Sequence, residues 1–310
     1  ISLIASALLG RSNIKKKIFS NNIMKEKKIK KTTNKEALES IKEKEGKKDW
    51  QIYGVKKQQD FIPIKRELPR PLHTMLEKGG GCLQIYSAPG SGKSNLISNL
   101  YLRDHFFKDL FEGGLYLVSP TAQSDLTSEA LCDYCDFVDT EMSEELLQGI
   151  YSNIMGIPKE DRLLSSIVMD DCMGSRAMRQ HTLLNKMVSA NRHMKTLFVF
   201  STQSVKSINP NLRSCASHTI IFYQPSQKQL NDLTELHAHF GGEEQFLKDY
   251  ETATTPKYGF YLADWRDQKS YAWGSDLSEP KLLWSRYDEE GNVIPKDTEE
   301  VNKGKIISND

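Results

Sequence analysis

The sequence predicts an α/β fold in which a mostly parallel sheet carries helices on both of its faces. Short apolar runs with β-strand character alternate along the chain with stretches that are long enough for helices. This alternation is typical of parallel sheets, because helical crossovers connect their strands. The runs are apolar throughout rather than at every second position, so we expect both faces of each strand to be covered.

Five apolar runs are the predicted core strands: Cys82–Tyr86, Leu115–Ser119, Ile167–Met169, Leu197–Phe200 and Thr219–Tyr223. Three stretches between them are the predicted helices: Asn95–Phe107, Glu144–Met155 and Ser175–Met194. Beyond residue 226 the pattern continues with one or two helices and then two added strands: Tyr258–Ala263 and Lys269–Trp273.

Charged segments are expected on both sides of this domain, which we place at residues 50–275. Residues 1–50 contain 14 basic and 6 acidic side chains. Because residues 24–48 contain almost no apolar side chains, we predict that residues 1–49 form a basic, disordered arm. Met24 opens the Lys-rich part of this arm, so we expect that residues 1–23 need not be native. Residues 276–310 are polar and are predicted to form a charged, flexible tail.

The composition excludes several classes of protein. A total of 42 Lys and Arg against 41 Asp and Glu rules out a histone-like basic protein and an acidic disordered one. Five cysteines cannot all pair in a secretory disulfide framework, which indicates a reducing compartment. Cys132 and Cys135 form one C-x-x-C pair without a second pair at zinc-finger spacing, so buried thiols are a simpler interpretation than a metal site. No segment predicts a membrane span, since the apolar residues 1–10 are too few.

A glycine-rich loop follows the first predicted core strand and opens the helix after it. We predict that its eight residues bind the phosphates of a nucleotide: Ser87, Ala88, Pro89, Gly90, Ser91, Gly92, Lys93 and Ser94. Gly90 and Gly92 let backbone N–H groups approach the phosphates without Cβ atoms in the way. The helix N-terminus favours an anion, and the Lys93 ammonium can reach the β and γ phosphates. The Ser94 hydroxyl is a candidate ligand for Mg²⁺.

The first position of this loop departs from the usual pattern, G-x-x-x-x-G-K-[ST]. Ser87 stands where that pattern has Gly. This position lies where the strand turns into the loop, and a small residue can replace Gly if its backbone stays in an allowed region. We therefore expect an ordinary backbone conformation at Ser87.

Two carboxylates, Asp170 and Asp171, end the apolar run that begins at Ser166. Successive side chains point to opposite sides of a strand, so we expect the two to have different roles. We predict that Asp170 binds Mg²⁺ and that Asp171 is the general base for a water at the γ-phosphate. The alternative is a polar strand cap with no chemical role.

Two further polar side chains are predicted to act on the nucleotide. Gln203 follows the Leu197–Phe200 run, where an amide can sense the γ-phosphate or orient the attacking water. The alternative for Gln203 is a surface loop. Arg213 shortly precedes the strand Thr219–Tyr223, and an Arg placed there can reach the nucleotide of a neighbouring subunit.

The motifs SAPGSGKS, IVMDD, STQ and NPNLR occur in this order within about residues 61–230. Together they resemble the FtsK/HerA superfamily of P-loop ATPases, and the first two correspond to the Walker A and Walker B motifs. Within the superfamily the sequence is most similar to the A32-like genome-packaging ATPases of large DNA viruses, virophages and Polinton-type elements. Gln203 followed ten residues later by Arg213 is the more discriminating part of this pattern.

The resemblance implies a RecA/ASCE-like sheet of the P-loop NTPase type, with the Gln203 strand between the two Walker strands. It also implies a homo-oligomeric ring, ATP-driven movement of double-stranded DNA, and an arginine finger supplied in trans by Arg213. Partners would include capsid portal or vertex proteins, at a virus assembly site inside the host cell. Cellular members usually carry Asp-Glu where this chain has Asp170-Asp171, and Asp171 is one methylene shorter than Glu.

Residues 172–230 contain eight basic side chains and no acidic one. A surface of one sign suits DNA phosphates, which are contacted without regard to sequence. Our candidates for DNA contacts are Arg176, Arg179, Lys186, Arg192 and Lys195. The alternatives are a solvated helix face, or docking of these residues on a neighbouring subunit. Residues 109–158 hold ten acidic side chains and no basic one, and oppositely charged edges suit a head-to-tail ring.

The sequence thus predicts an Mg²⁺-dependent ATPase that packages viral double-stranded DNA. Two alternatives stay open. One is a nucleotide-gated assembly protein with negligible turnover, and the other is a small-molecule P-loop kinase in which Arg213 acts in cis. A GTPase is disfavoured because the guanine-reading motif N-K-x-D is absent from the sequence, in which Asn185-Lys186 is followed by Met187 and Val188.

Overall fold

The computed structural model describes residue 64 and residues 66–122, 125–172 and 181–294. Within these residues, nine strands form one sheet in the order β3-β2-β4-β5-β1-β6-β7-β8-β9. The strands are β1 (Gly81–Tyr86), β2 (Gly114–Val118), β3 (Phe137–Asp139), β4 (Ser165–Asp170), β5 (Thr196–Thr202), β6 (His218–Phe222), β7 (Phe260–Asp264), β8 (Lys269–Trp273) and β9 (Lys281–Ser285). The α-helices are α1 (Arg70–Leu76), α2 (Lys93–Leu102), α3 (Glu129–Tyr134), α4 (Glu144–Met155), α5 (Thr182–Ser189), α6 (Asn191–Met194), α7 (Pro210–Ser214), α8 (Gln227–His237) and α9 (Glu243–Thr254).

Strands β1 to β6 form the parallel part of the sheet, and β7 to β9 extend it in antiparallel order. β5 lies between β1 and β4, which confirms that the strand before Gln203 separates the two Walker strands. The register sets Tyr86 opposite Thr202 and Asp170 opposite Ser201. Because parallel strands end at the same edge of a sheet, the segments that follow β1, β4 and β5 meet there.

Both faces of the parallel strands are buried, as their continuously apolar sequences predict. In β5, Phe198 and Phe200 pack into one core, and Leu197 and Val199 pack into the other. Burial of one such side chain contributes about 1.5–3 kcal/mol. Helices α1 to α3 contribute to the core that contains Leu197, and α4 to α9 contribute to the core that contains Phe198. The predicted α/β class, with helices on both faces, is therefore confirmed.

The predicted strands agree with the structure to within two residues at each end, whereas the helices differ more. α2 ends at Leu102, before the predicted end at Phe107, because Arg103 adopts an extended conformation. α5 and α6 occupy the second half of the predicted helix Ser175–Met194, and residues 173–180 lie outside the described residues. β3 was not predicted, since its sequence, Phe-Val-Asp, has only two apolar residues and these are only partly buried.

The sheet continues beyond residue 275, where the sequence predicts the start of a flexible tail. β9 pairs with β8, and an isolated bridge joins Tyr287 to Val293. The strand escaped prediction because its apolar run, Leu282 to Trp284, is short and lies in a polar, charged segment; the strand is at the sheet edge and partly exposed. Residues 295–310 and the predicted arm, residues 1–49, lie outside the described residues. None of the described helices combines the length and the apolar character that a membrane span requires.

Candidate nucleotide-binding and hydrolysis site

The loop between β1 and α2 has the geometry that a phosphate ligand requires. Gly90 and Gly92 have φ angles of 70° and 95°, in the left-handed region that favours glycine. Gly92 precedes the first residue of α2, and no side chain caps this helix within the described residues. The N–H groups of the first helical turn are therefore left for an anionic ligand.

Ser87 continues the line of β1 with an ordinary backbone. Its φ angle is not positive, and its N–H donates to the carbonyl oxygen of Thr202 at 3.1 Å. The side chain is fully buried. A glycine is therefore not needed at this position, which accounts for the departure from the usual loop pattern.

The Lys93 side chain connects the loop to the two predicted carboxylates. Its Nζ lies 3.1 Å from Oδ1 of Asp170 and also forms an ion pair with Oδ2 of Asp171. Asp170 is the last residue of β4 and is buried, whereas the Asp171 side chain is 30% exposed. An ion pair of this kind is strengthened by the low dielectric around buried groups. Lys93, Asp170 and Asp171 thus form one charged cluster at the carboxyl edge of the sheet.

The expectation that the two carboxylates point to opposite sides is wrong, since both contact Lys93. The physical reason is that Asp171 has left the strand. Its φ angle is 51°, a left-handed conformation that Asp tolerates better than most residues. Its N–H donates to the carbonyl oxygen of Ser201 at 3.0 Å, which fixes the turn against β5.

Gln203 joins the same cluster from the end of β5. Its Nε2 donates to Oδ2 of Asp171 at 3.3 Å. A cavity of about 510 Å³ is lined by the phosphate loop together with Asp171 and Gln203. Three segments far apart in the sequence therefore converge on one cavity, as the strand order requires.

The oxygen donors at this site fit a magnesium ion. The predicted ligands are the Ser94 hydroxyl and the Asp170 carboxylate, and Mg²⁺ prefers oxygen ligands and takes only one or two protein carboxylates beside the substrate phosphates. No group of three or more His, Cys, Asp or Glu side chains suited to a metal occurs in the described part of the chain.

Asp125 is a neighbour of Ser94 that the sequence did not predict. Hydrogen bonds from Thr127, Ser128 and Ser94 outweigh burial and lower the pKa of its carboxyl group. The Thr127 N–H donates to Oδ1 at 2.9 Å. Asp125 is therefore ionised at neutral pH and holds the Ser94 hydroxyl by accepting its hydrogen bond.

Arg213 does not line the cavity of its own subunit. It lies on α7 and is partly buried, and its Nη1 donates to the carbonyl oxygen of Val205 at 3.2 Å. The residues that line the cavity include Gln203 and Asp171 but not Arg213. The structure therefore does not bring Arg213 to the phosphate loop within one chain, as a cis-acting role would require.

The described residues include three of the five predicted DNA-contacting side chains: Lys186, Arg192 and Lys195. Arg176 and Arg179 lie outside the described residues. Lys186 is exposed on α5, with its ammonium 5.0 Å from the ring centroid of Tyr151. Arg192 is exposed on α6.

Lys195 is held by contacts within the subunit. Its Nζ donates to the carbonyl oxygen of Arg162 at 2.9 Å, and burial lowers its pKa. It immediately precedes β5, whose seven residues span about 20 Å, so it lies at the opposite end of that strand from Gln203. Lys195 therefore has a structural role at the amino edge of the sheet.

The acidic and basic segments are neighbours within one chain. α4, which begins with Glu144 and Glu145, packs against α5, and the Glu144 carboxylate lies 2.6 Å from Nε2 of His181.

Cys132 and Cys135 are packed thiols. The Cys132 Sγ donates to the carbonyl oxygen of Ala122 at 3.4 Å. Burial raises the pKa of Cys135 to about 12, so this thiol stays protonated at neutral pH.

Several residues that line the cavity come from a part of the chain without a recognisable motif: Tyr258, Phe260, Ser275 and Leu277. β7 runs antiparallel to β6, so the turn before β7 lies at the same edge as the phosphate loop. Pro256 and Gly259 mark this turn in the sequence. If the sequence analysis had predicted that β7 runs antiparallel to β6, it would have placed the turn before β7, and with it Tyr258, at the edge of the sheet where the phosphate loop lies.

No family model matches the sequence. The chain is 22% identical over 202 residues to protein 075L of Invertebrate iridescent virus 6. The aligned region covers 63% of this chain and 74% of the viral protein.

Solved structures with a similar arrangement share little sequence with the chain. The DNA-packaging ATPase B204 of Sulfolobus Turreted Icosahedral Virus is 17% identical with a TM-score of 0.46, and the match covers 61% of this chain and 95% of B204. The pCW3 conjugation coupling protein TcpA is 13% identical with a TM-score of 0.43, over 66% of this chain and 60% of TcpA. By their descriptions, one of these proteins is a DNA-packaging ATPase and the other is a conjugation coupling protein.

Proposed function

We propose that the protein is an ATPase motor that moves double-stranded DNA, and that its task is to package a viral genome into a capsid. The observation that carries the proposal is the convergence of Lys93, Asp171 and Gln203 on the cavity of the phosphate loop. A loop alone would indicate nucleotide binding. A carboxylate and an amide beside the loop add the groups that hydrolysis needs.

Binding of ATP changes the partners of Lys93. In this structure the ammonium contacts both carboxylates, and the phosphate oxygens compete for it through stronger, multiply charged contacts. Once Lys93 turns to the phosphates, Oδ2 of Asp171 keeps its hydrogen bond from Gln203 and can accept a second one from water. Nucleotide binding thereby converts Asp171 from the partner of an ion pair into a base.

Hydrolysis then needs one proton transfer and one displacement. The Asp171 carboxylate accepts a proton from the water that Gln203 orients. The water oxygen forms a bond to the γ-phosphorus, and the bond from this phosphorus to the bridging oxygen of ADP breaks. Lys93 and the N–H groups of α2 stabilise the charge on the phosphate oxygens. Ser94 and Asp170 would hold Mg²⁺, which neutralises phosphate charge when bound.

Arg213 acts on the nucleotide of a neighbouring subunit in this proposal. It lies outside the cavity of its own chain, and a short shift away from the Val205 carbonyl would free its guanidinium. Such a residue accelerates phosphoryl transfer by about 10³–10⁵-fold where it operates. The subunits then form a closed ring, in which each cavity is completed by the next chain.

The viral and DNA-directed parts of the proposal are supported by the motif resemblance and by the viral origin of protein 075L. Lys186 and Arg192 are the described basic candidates that are exposed, and together with the basic arm they are proposed to contact DNA. Portal or vertex proteins of a capsid are the proposed partners, at an assembly site inside the host cell.

A nucleotide-gated assembly protein is the second candidate. It is favoured by the engagement of Asp171 with both Lys93 and Gln203, since a carboxylate that kept these partners could not act as a base. In that case Asp171→Asn would leave the very low turnover unchanged while ATP still promoted assembly.

Lys93→Ala tests the phosphate site. We expect turnover of ATP to fall by roughly 100-fold or more, because the variant loses a charge that stabilises the phosphates. Lys228→Ala, which changes an exposed lysine on α8, should hydrolyse ATP like the wild type. Full activity in Lys93→Ala, measured as release of inorganic phosphate, would remove the assignment of the loop.

Mixed rings test the arginine finger. Arg213→Ala subunits keep an intact loop, and Lys93→Ala subunits keep the arginine, so each variant alone should be inactive. Mixing them should restore part of the turnover, because some interfaces combine the intact loop of one chain with Arg213 of the other. Absence of rescue at every mixing ratio would contradict action in trans.

DNA dependence separates the motor from both alternatives. Long duplex DNA should stimulate ATP hydrolysis, and the specific activity should rise cooperatively with protein concentration. Binding should weaken steeply with salt and show little sequence preference. Lys186→Ala combined with Arg192→Ala should lower the salt slope by about 1–2. Hydrolysis that ignores DNA and protein concentration would indicate a kinase or another monomeric enzyme.

A further inference from the structure

A second cavity, of about 340 Å³, adjoins the phosphate loop. It shares the loop residues 88–91 and Tyr258 with the larger cavity of about 510 Å³. Both volumes fall within the range of about 300–1,000 Å³ that small-molecule sites occupy. Because the loop borders both cavities, one ligand bound at the loop can extend from the first cavity into the second.

The two cavities differ in the charged side chains that line them, whereas Pro89, Phe222 and Tyr258 line both. Lys93, Asp171 and Gln203 line the first cavity, whereas Lys257 is the sole charged side chain among the described residues that line the second. Most of the remaining wall is proline and aromatic: Pro89, Pro225, Pro256, Phe222, Tyr223 and Tyr258. A wall of this kind suits a flat, uncharged ring.

Tyr258 stands where the two cavities meet. Its ring lies against the loop, since a Cβ placed on Gly92 would be 3.3 Å from its Cδ1. Its side chain is nevertheless far from buried, with 47% of the residue exposed. The φ angle of Tyr258 is 63°, which is rare for a bulky residue and persists only where the surrounding structure imposes it. Residues with such rarely populated backbone conformations occur preferentially at ligand-binding sites.

One face of the Tyr258 ring carries a weakly held neighbour. The Lys257 ammonium lies 4.9 Å from the ring centroid, and Lys257 is exposed. An exposed cation over an aromatic ring is a weak contact that a stacked ring can replace. A ligand with an aromatic ring can therefore take the place of this ammonium.

We infer that the second cavity binds the base of the nucleotide and that Tyr258 is its stacking platform. The inference rests on the proposed function, because it assigns the base of the same ATP whose phosphates contact Lys93. Tyr223, which follows β6 and is 61% exposed, also lines this cavity. The phosphates and the base are then bound by separate parts of the chain, the loop after β1 and the turn before β7.

The test compares two ligands, ATP and inorganic tripolyphosphate, which has the same phosphate chain without a base. Binding is measured by calorimetry in the full chain for the wild type, Tyr258→Ala, Tyr258→Phe and Lys93→Ala. Tyr287→Ala is the matched control, since it removes another exposed tyrosine, near the end of the described residues. If Tyr258→Ala does not fold, as judged by thermal unfolding, Tyr258→Leu keeps the volume without the ring.

We expect Tyr258→Ala to weaken ATP binding by roughly 10- to 100-fold, the usual effect of losing one stacked base. The affinity for tripolyphosphate should not change, and Tyr258→Phe should bind ATP like the wild type. Lys93→Ala should weaken both ligands. Unchanged ATP binding in Tyr258→Ala, or an equal loss for both ligands, would overturn the base assignment alone. A wild-type protein that binds neither ligand would overturn the proposed function, and the base assignment with it.

Discussion

The contact of the Lys93 ammonium with Asp170 and Asp171 is the interaction on which the rest of the site depends. It joins the start of α2 to the end of β4, and Gln203 extends the cluster to the end of β5. Removal of any one partner would leave charge in a partly buried setting, which costs more than the pair itself contributes. The cluster therefore fixes the relative position of three strand ends.

The same interaction links nucleotide binding to catalysis. Lys93 can pair with either the carboxylates or the phosphates. When a triphosphate binds and takes Lys93, the Asp171 carboxylate becomes able to accept a proton from water. The left-handed conformation of Asp171 is what permits both carboxylates to share one lysine. In an extended conformation the second carboxylate would face away, and the two events would not be coupled through a single side chain.

The sequence predicted the parts of the site that local patterns determine. The loop from Ser87 to Ser94, the paired aspartates and Gln203 each follow an apolar run, and parallel strands place their ends together. The conformation of Asp171 was not predictable, because it depends on a hydrogen bond to the neighbouring strand. Tyr258 was also missed, since a single aromatic residue in a turn carries no motif.

Charge counts along the chain were less informative than strand order. Lys195 and Lys186 belong to one basic segment, yet one is bonded to the Arg162 carbonyl at the amino edge and the other lies over Tyr151. A count of charges ignores which side chains fold against their own chain. β9 illustrates a similar limit for strands, because the polar composition of residues 276–310 concealed the short apolar run of this partly exposed edge strand.

The most direct test of this account is a structure of the protein with a non-hydrolysable ATP analogue. We predict that Nζ of Lys93 will lie within about 3 Å of a β- or γ-phosphate oxygen and will have left Oδ2 of Asp171, which will contact an ordered water beside Gln203. Phosphates bound away from the loop of residues 87–94, or an unchanged contact between Lys93 and Asp171, would contradict it.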